Sequence, residues 1–357
     1  MSVRLAVWLW APLAASAVFA AVAPLVARRL PPRTATWLLT GGSTVLAAAA
    51  VTLPALVLLT LAGQWAPLAS LGHWSGRLLA VRQPAGPDAW AVAAAVLGGQ
   101  ALFVVTALWR RGVPLVRTWG AARNVPGPLV VVPDPHPAAF ALPGWPGRIV
   151  ATRGLLEVLD PAERRAVLAH EQAHLDARHD LHLVVVTLAA AAHPLLLGMP
   201  AAVRLASERW ADERAATATG DRQLVARTIV RVASCRQPRP GPHGAMAATG
   251  ADVVARVRAL VGPPVTRRPA LAAALAAAAL VPALSAVVAA AQTDAAFQRA
   301  ELAVAAPARL AATASLGASD VPESPPAPGP TALSTTIPGA TVPGPTALPA
   351  TALPTAR

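Results

Sequence analysis

Val167-Leu168-Ala169-His170-Glu171-Gln172-Ala173-His174-Leu175 is the stretch on which the reading of this chain turns. It spells H-E-x-x-H inside an apolar helical frame. Residues four apart share one face of a helix, so His170 and His174 can point the same way. Two neutral imidazoles at that spacing suit a tetrahedral zinc ion, and Glu171 then reaches the water-bearing fourth position as general base. The helix is well specified. Asp160-Pro161-Ala162-Glu163 supplies an N-cap, a proline at the first helical position and a capping-box glutamate. The spacing predicts a helix from near Pro161 to about Arg178. Ala169 and Ala173 are small and let another element approach the metal face.

A catalytic zinc site uses three protein ligands, so a third must lie elsewhere. In Ala206-Ser207-Glu208-Arg209-Trp210-Ala211-Asp212-Glu213-Arg214-Ala215, Glu208 and Asp212 stand four apart on a second helix. Glu208 is a candidate ligand, and Asp212, one turn along, is placed to hydrogen-bond a ligating histidine. Taken alone, the segment reads as a solvated charged face, with Glu208 and Glu213 among Arg204, Arg209 and Arg214.

Together, His170-Glu171-x-x-His174 and Glu208-x-x-x-Asp212 resemble the integral-membrane zinc peptidases of the BlaR/MecR antibiotic-sensor type, and more distantly the Ste24/HtpX membrane proteases. Ala138-Ala139-Phe140-Ala141-Leu142 and Gly147-Arg148-Ile149-Val150-Ala151-Thr152 also look like the lead-in of such chains. The resemblance covers roughly residues 110 to 220 and the pattern of membrane spans. It implies one zinc ion per chain held by His170, His174 and Glu208, with Glu171 as base and Asp212 behind the ligands.

Composition sets the surroundings. Hydrophobic residues make up 55% of the 357 and charged residues 13%, a membrane composition. The net charge of +13 is not gathered into a basic stripe with interleaved aromatics, so direct nucleic-acid binding is not expected. The single cysteine, Cys235, excludes an intramolecular disulfide.

The fold class expected is a mainly α membrane protein. It has about four transmembrane helices, a re-entrant or interfacial helical hairpin, and a small α+β cytoplasmic zinc-peptidase domain with a short β-sheet. Residues 1–111 form an N-terminal membrane domain with spans at 5–26, 36–62 and 89–109. Trp65 and Trp74, in the loop 64–87, are placed as interfacial anchors. Residues 112–268 form the peptidase domain, with short strands at 128–132, 140–142 and 148–151. A last span occupies 269–291, and 292–357 is a disordered Pro/Ala/Thr-rich tail in which Gly-Pro-Thr-Ala-Leu occurs at 329–333 and 344–348.

Arg28, Arg29, Arg33, Arg110, Arg111 and Arg117 flank one side of the spans, against Arg4, Arg77 and Arg82 on the other. The positive-inside rule therefore sets the metal site in the cytoplasm and the tail outside a multi-pass bacterial plasma-membrane protein. Residues 181–199 are apolar enough to span, yet a single crossing would put His174 and Glu208 on opposite sides. His193-Pro194, Gly198 and Pro200 favour a helix that breaks and returns. His179, His182 and His193 are read as non-ligands.

The partners implied are a protein or peptide substrate and the lipid bilayer, with a transcriptional repressor as one candidate substrate. Two other readings stand beside this one: a Ste24/HtpX-like processing or quality-control protease, and a non-catalytic membrane receptor of the same fold. The tail carries no S-x-x-K, so β-lactam sensing is not supported.

Overall fold

The computed structural model describes residues 3–82, 87–122, 127–235 and 250–318. It is dominated by helices: α1 (Val3–Ala27), α2 (Pro32–Ala62), α3 (Ala66–Gly72), α4 (Gly76–Arg82), α5 (Pro87–Ala122), α6 (Arg153–Val158), α7 (Pro161–Asp176), α8 (His179–Ala192), α9 (Met199–Thr219), α10 (Arg222–Cys235), α11 (Gly250–Val261) and α12 (Pro269–Ala318). The chain divides into units Met1–Pro307 and Ala308–Arg357, and the first holds the sheet, the apolar cores and the site described below. Three described helical stretches are long and apolar enough to cross a membrane: Pro32–Ala62, Asp88–Val113 and Pro269–Ala305. Pro12–Ala27 and His179–Ala192 are apolar but shorter.

Two spans overrun their predicted ends. α5 continues to Ala122 rather than stopping near 109, and α12 continues to Ala318, where disorder was predicted from 292. In α12 the reason is alanine, the best helix former, which extends a helix without apolar bulk. The rest of the predicted tail, and residues 236–249, lie outside the described residues. The loop predicted between the second and third spans contains α3 and α4. Trp74 there donates Nε1–H to the Gly63 carbonyl at 2.8 Å and packs edge-on against Phe297 of α12.

The short sheet consists of β1 (Leu129–Val132), β2 (Ala139–Leu142) and β3 (Arg148–Thr152), ordered β1-β3-β2. β1 runs parallel to the central β3 and β2 antiparallel to it, with Val130 and Phe140 both opposite Val150. Val130, Leu142 and Val150 form its buried apolar cluster. Thr152 ends the sheet and caps α6: its hydroxyl accepts from Leu155 N at 3.3 Å and donates to the His136 carbonyl at 2.7 Å.

α7 starts with the predicted capping box. Asp160 accepts from Ala162 N at 2.8 Å and Glu163 N at 2.9 Å, and Glu163 accepts from Asp160 N at 3.0 Å. This satisfies amide donors that a helix N-terminus otherwise leaves open.

α8 has 14 residues, about 21 Å, which falls short of a hydrocarbon core of about 30 Å. It ends at His193, a 3-10 turn spans Pro194–Leu196, and α9 returns alongside. The stretch 200–234 falls in two helices, α9 and α10. Gly220 takes a left-handed φ of 71°, open to glycine at little cost, and Asp221 then caps α10 through Gln223 N and Leu224 N.

α9 joins two cores. Its first half buries Met199, Val203 and Ala206 among Phe19, Leu39, Leu46 and Val186 of the apolar bundle. Its second half buries Ala215 and Ala216 beside Ala166, Val225, Ala226 and Leu260. Glu208 and Asp212 sit between these two packings.

Candidate metal centre

α7 presents His170 and His174 on one face, as their spacing predicts, and α9 brings Glu208 against them. The two Nε2 atoms stand 3.1 Å apart. Glu208 Oε2 is 3.5 Å from His170 Nε2, and its Oε1 is 3.7 Å from His174 Nε2. Among the described residues, these three side chains form the group able to hold a metal ion, their ligand atoms all within 4.8 Å of one another. A tetrahedral zinc with bonds of about 2.0–2.1 Å has ligand–ligand edges of about 3.3–3.4 Å, so the donor set fits zinc in spacing and kind.

A second layer holds this group. Asp212 Oδ1 lies 3.0 Å from His170 Nδ1, which leaves His170 Nε2 facing the other ligand atoms. Asp212 is almost wholly buried. Its charge is met by Arg256 of α11, whose Nε reaches Oδ2 at 2.8 Å and whose Nη2 reaches Oδ1 at 2.6 Å. Arg256 Nη1 also meets Glu208 Oε2 at 2.8 Å. One guanidinium therefore clamps both carboxylates.

The electrostatics follow. Burial acts to raise the Glu208 carboxyl, but His170 and Arg256 outweigh it and hold Glu208 well below the usual carboxylate range. Burial acts to lower His170, and hydrogen bonds to Asp212 and then Glu208 outweigh it, raising His170 to about 10. His174, buried and beside His170, is pushed down to about 4. Glu171 lies half-buried on α7, within electrostatic reach of Arg256.

The remaining histidines of this region stay outside the ligand group. His182 Nδ1 is 3.2 Å from Thr40 Oγ1, and its ring lies edge-on to Trp37. His193 is the buried C-cap of α8. His179, read from sequence as a non-ligand, has its Nδ1 2.9 Å from His174 Nδ1. Arg256 is the residue that sequence reasoning missed outright.

Comparison with known proteins bears on this geometry. Residues 115–204 match the family described as Peptidase family M48. Over those residues the chain is similar to M48 peptidases. The match runs from the end of α5 through β1 to β3, α6, α7 and α8 to the start of α9, and so includes His170, Glu171 and His174. Glu208 lies just beyond it and is placed by geometry. A Protease HtpX homolog of Aquifex aeolicus (strain VF5) is 44% identical over 70 residues, 19% of this chain and 22% of the relative. One from Tropheryma whipplei (strain Twist) is 33% identical over 113 residues, 28% of this chain and 35% of the relative. One from Moorella thermoacetica is 42% identical over 79 residues, 21% of this chain and 25% of the relative. The matches thus span between about a fifth and a third of the length of these relatives. No solved structure matches the chain.

Proposed function

We propose that the chain is a membrane-embedded zinc metalloendopeptidase that hydrolyses a peptide bond in a cytoplasmic or membrane-proximal protein. The observation that carries this reading is the convergence of His170, His174 and Glu208 from two helices in a chain similar to M48 peptidases over residues 115–204. Three protein ligands leave a fourth position for water or substrate, the arrangement of a catalytic rather than a structural zinc. Zinc bound there would polarise the scissile carbonyl and acidify the attacking water. Glu171, adjacent to His170 on α7, takes the proton from that water and passes it to the leaving amine. Asp212 fixes the His170 ring through Nδ1, and Arg256 fixes Asp212 and Glu208. β2 is an edge of the described sheet, and its outward main-chain groups can hold an extended substrate by strand addition.

The arginine distribution supports a cytoplasmic site. The return of α9 beside α8 supports the re-entrant or interfacial reading of 181–199, because it brings Glu208 back to His170 without a crossing. Regulated proteolysis of a repressor is one outlet for such a site. The similarity to proteins named Protease HtpX homolog favours a second, an HtpX-like processing or quality-control protease.

Glu171→Gln tests the reading. In detergent-purified protein it should keep wild-type zinc and lose at least 100-fold of the cleavage of fluorogenic casein, since general-base groups contribute about 10²–10⁴-fold. Cleavage at the wild-type rate in that variant would refute Glu171 as the base. Zinc-loaded wild type without proteolysis would favour a non-catalytic receptor.

A further inference from the structure

We propose that His179 is a positioning residue for the ligand His174, which it holds through a hydrogen bond between the two Nδ1 atoms; this rests on the metal-centre reading above. Three observations converge. The Nδ1 atoms of His174 and His179 are 2.9 Å apart, across the short turn between α7 and α8. His174 turns its Nε2 toward His170 and Glu208, so its proton belongs on Nδ1, aimed at His179. His179 is 1% exposed and its Nε2 is buried with no hydrogen-bond partner.

These facts fix the tautomers. His174 Nδ1–H donates, so His179 Nδ1 must be the bare acceptor and the His179 proton sits on Nε2. A protonated His179 would set two N–H donors face to face. The fold therefore leaves one buried polar atom of His179 unsatisfied while using the other on a metal ligand, which apolar packing alone would not require. The ring is wedged, with centroids 4.7 Å from His174 and 4.9 Å from Trp210 of α9. Arg33 of α2 lies over the Trp210 ring, 5.8 Å from its centroid. His179 thus does for His174 what Asp212 does for His170, but with a neutral acceptor. The two ligands of one motif are steered by unlike groups, and His174 receives no added negative charge.

The test compares substitutions that differ in where they place an acceptor. In Asn the carboxamide oxygen can take the Nδ1 position. In Gln it takes the Nε2 position, and Phe keeps the ring against Trp210 with no acceptor. Zinc affinity is read by chelator competition, and ligand geometry by the visible spectrum of the cobalt-substituted protein. His179→Phe should bind zinc about 10–100-fold more weakly, with a shifted cobalt spectrum, as is typical when a partner behind a metal ligand is lost. His179→Asn should recover affinity to within a few-fold, and His179→Gln should not. Should the Phe variant fail to fold, the Asn-against-Gln comparison carries the test. Wild-type affinity and spectrum in His179→Phe, or equal weakness in Asn and Gln, would overturn the assignment alone. A wild type that binds no zinc would overturn the metal centre itself, and this assignment with it.

Discussion

Arg256 and Asp212 form a two-pronged ion pair, Nε to Oδ2 at 2.8 Å and Nη2 to Oδ1 at 2.6 Å, beside the candidate ligands His170 and Glu208. Both side chains are buried, with 11% and 2% of their surface exposed. Planar guanidinium and carboxylate match each other in this way, and an ammonium does not. The pair lets α11 brace α9 from behind, so the position of Asp212, and through it His170, depends on a helix far along the chain.

Removing that arginine strands Asp212 as a buried carboxylate and takes a partner from the half-buried Glu208. Arg256→Ala is expected to destabilise the metal-free protein by about 3–5 kcal/mol, the usual cost of breaking a buried pair from one side. Arg256→Lys should recover only part of this. Denaturant titration in detergent measures both. A loss under about 1 kcal/mol for Arg256→Ala would show that the clamp does not hold the site.

The metal-free site has a pH dependence of definite sign. His170 has a folded pKa of about 10, above its ordinary value of 6.5. Its proton therefore stabilises the metal-free fold fully below about pH 6.5, and that contribution is lost as pH rises through about 10. Glu208 is held low and stays ionised throughout this range, so it adds no slope. Zinc needs His170 neutral and so competes with that proton. The gap in melting temperature between zinc-loaded and metal-free protein should widen from about pH 6 to about pH 9. Thermal melts with and without chelator check this, and a constant or narrowing gap would contradict it.

The first turn of α6 has a position with no room for a side chain. A Cβ at Gly154 would lie 1.8 Å from the Pro135 carbonyl oxygen, while Gly154 N donates to the Asp134 carbonyl at 3.0 Å. Backbone cannot swing aside as a side chain can, so Gly154→Ala should displace the β1–β2 connection from α6. Limited proteolysis should then cut near 134–138 faster than in wild type. An unchanged cleavage pattern would show that the connection adapts.

How much was legible beforehand follows from the range of each signal. Asp160, Pro161 and Glu163 announced α7 because capping is settled within four residues. His170 and His174 announced the metal face because a helix repeats within four. β1 and β3 were readable from β-branched runs, and β2, Ala139-Phe140-Ala141-Leu142, from the Pro-Gly-Trp-Pro-Gly turn that joins it to β3. Glu208 looked like one charge among several on its helix and acquired meaning only through resemblance. Arg256 was invisible: it stands 44 residues from Asp212, and nothing local separates it from Arg258 or the other arginines. His179 is only five residues from His174, but whether it touches the ligand depends on how sharply the chain turns at Arg178, which adopts a left-handed φ of 48°. The overruns of α5 and α12 escaped notice because hydropathy marks where apolar residues stop, not where a helix does.

The most direct measurement is the zinc content of detergent-purified wild type beside Glu208→Ala, by elemental analysis. The expected result is about one zinc per chain in wild type and a clear loss in the variant, since a catalytic site needs three protein ligands. Equal zinc in both would contradict the account: Glu208 would then not be a ligand, and the return of α9 to α7 would have no part in building the site.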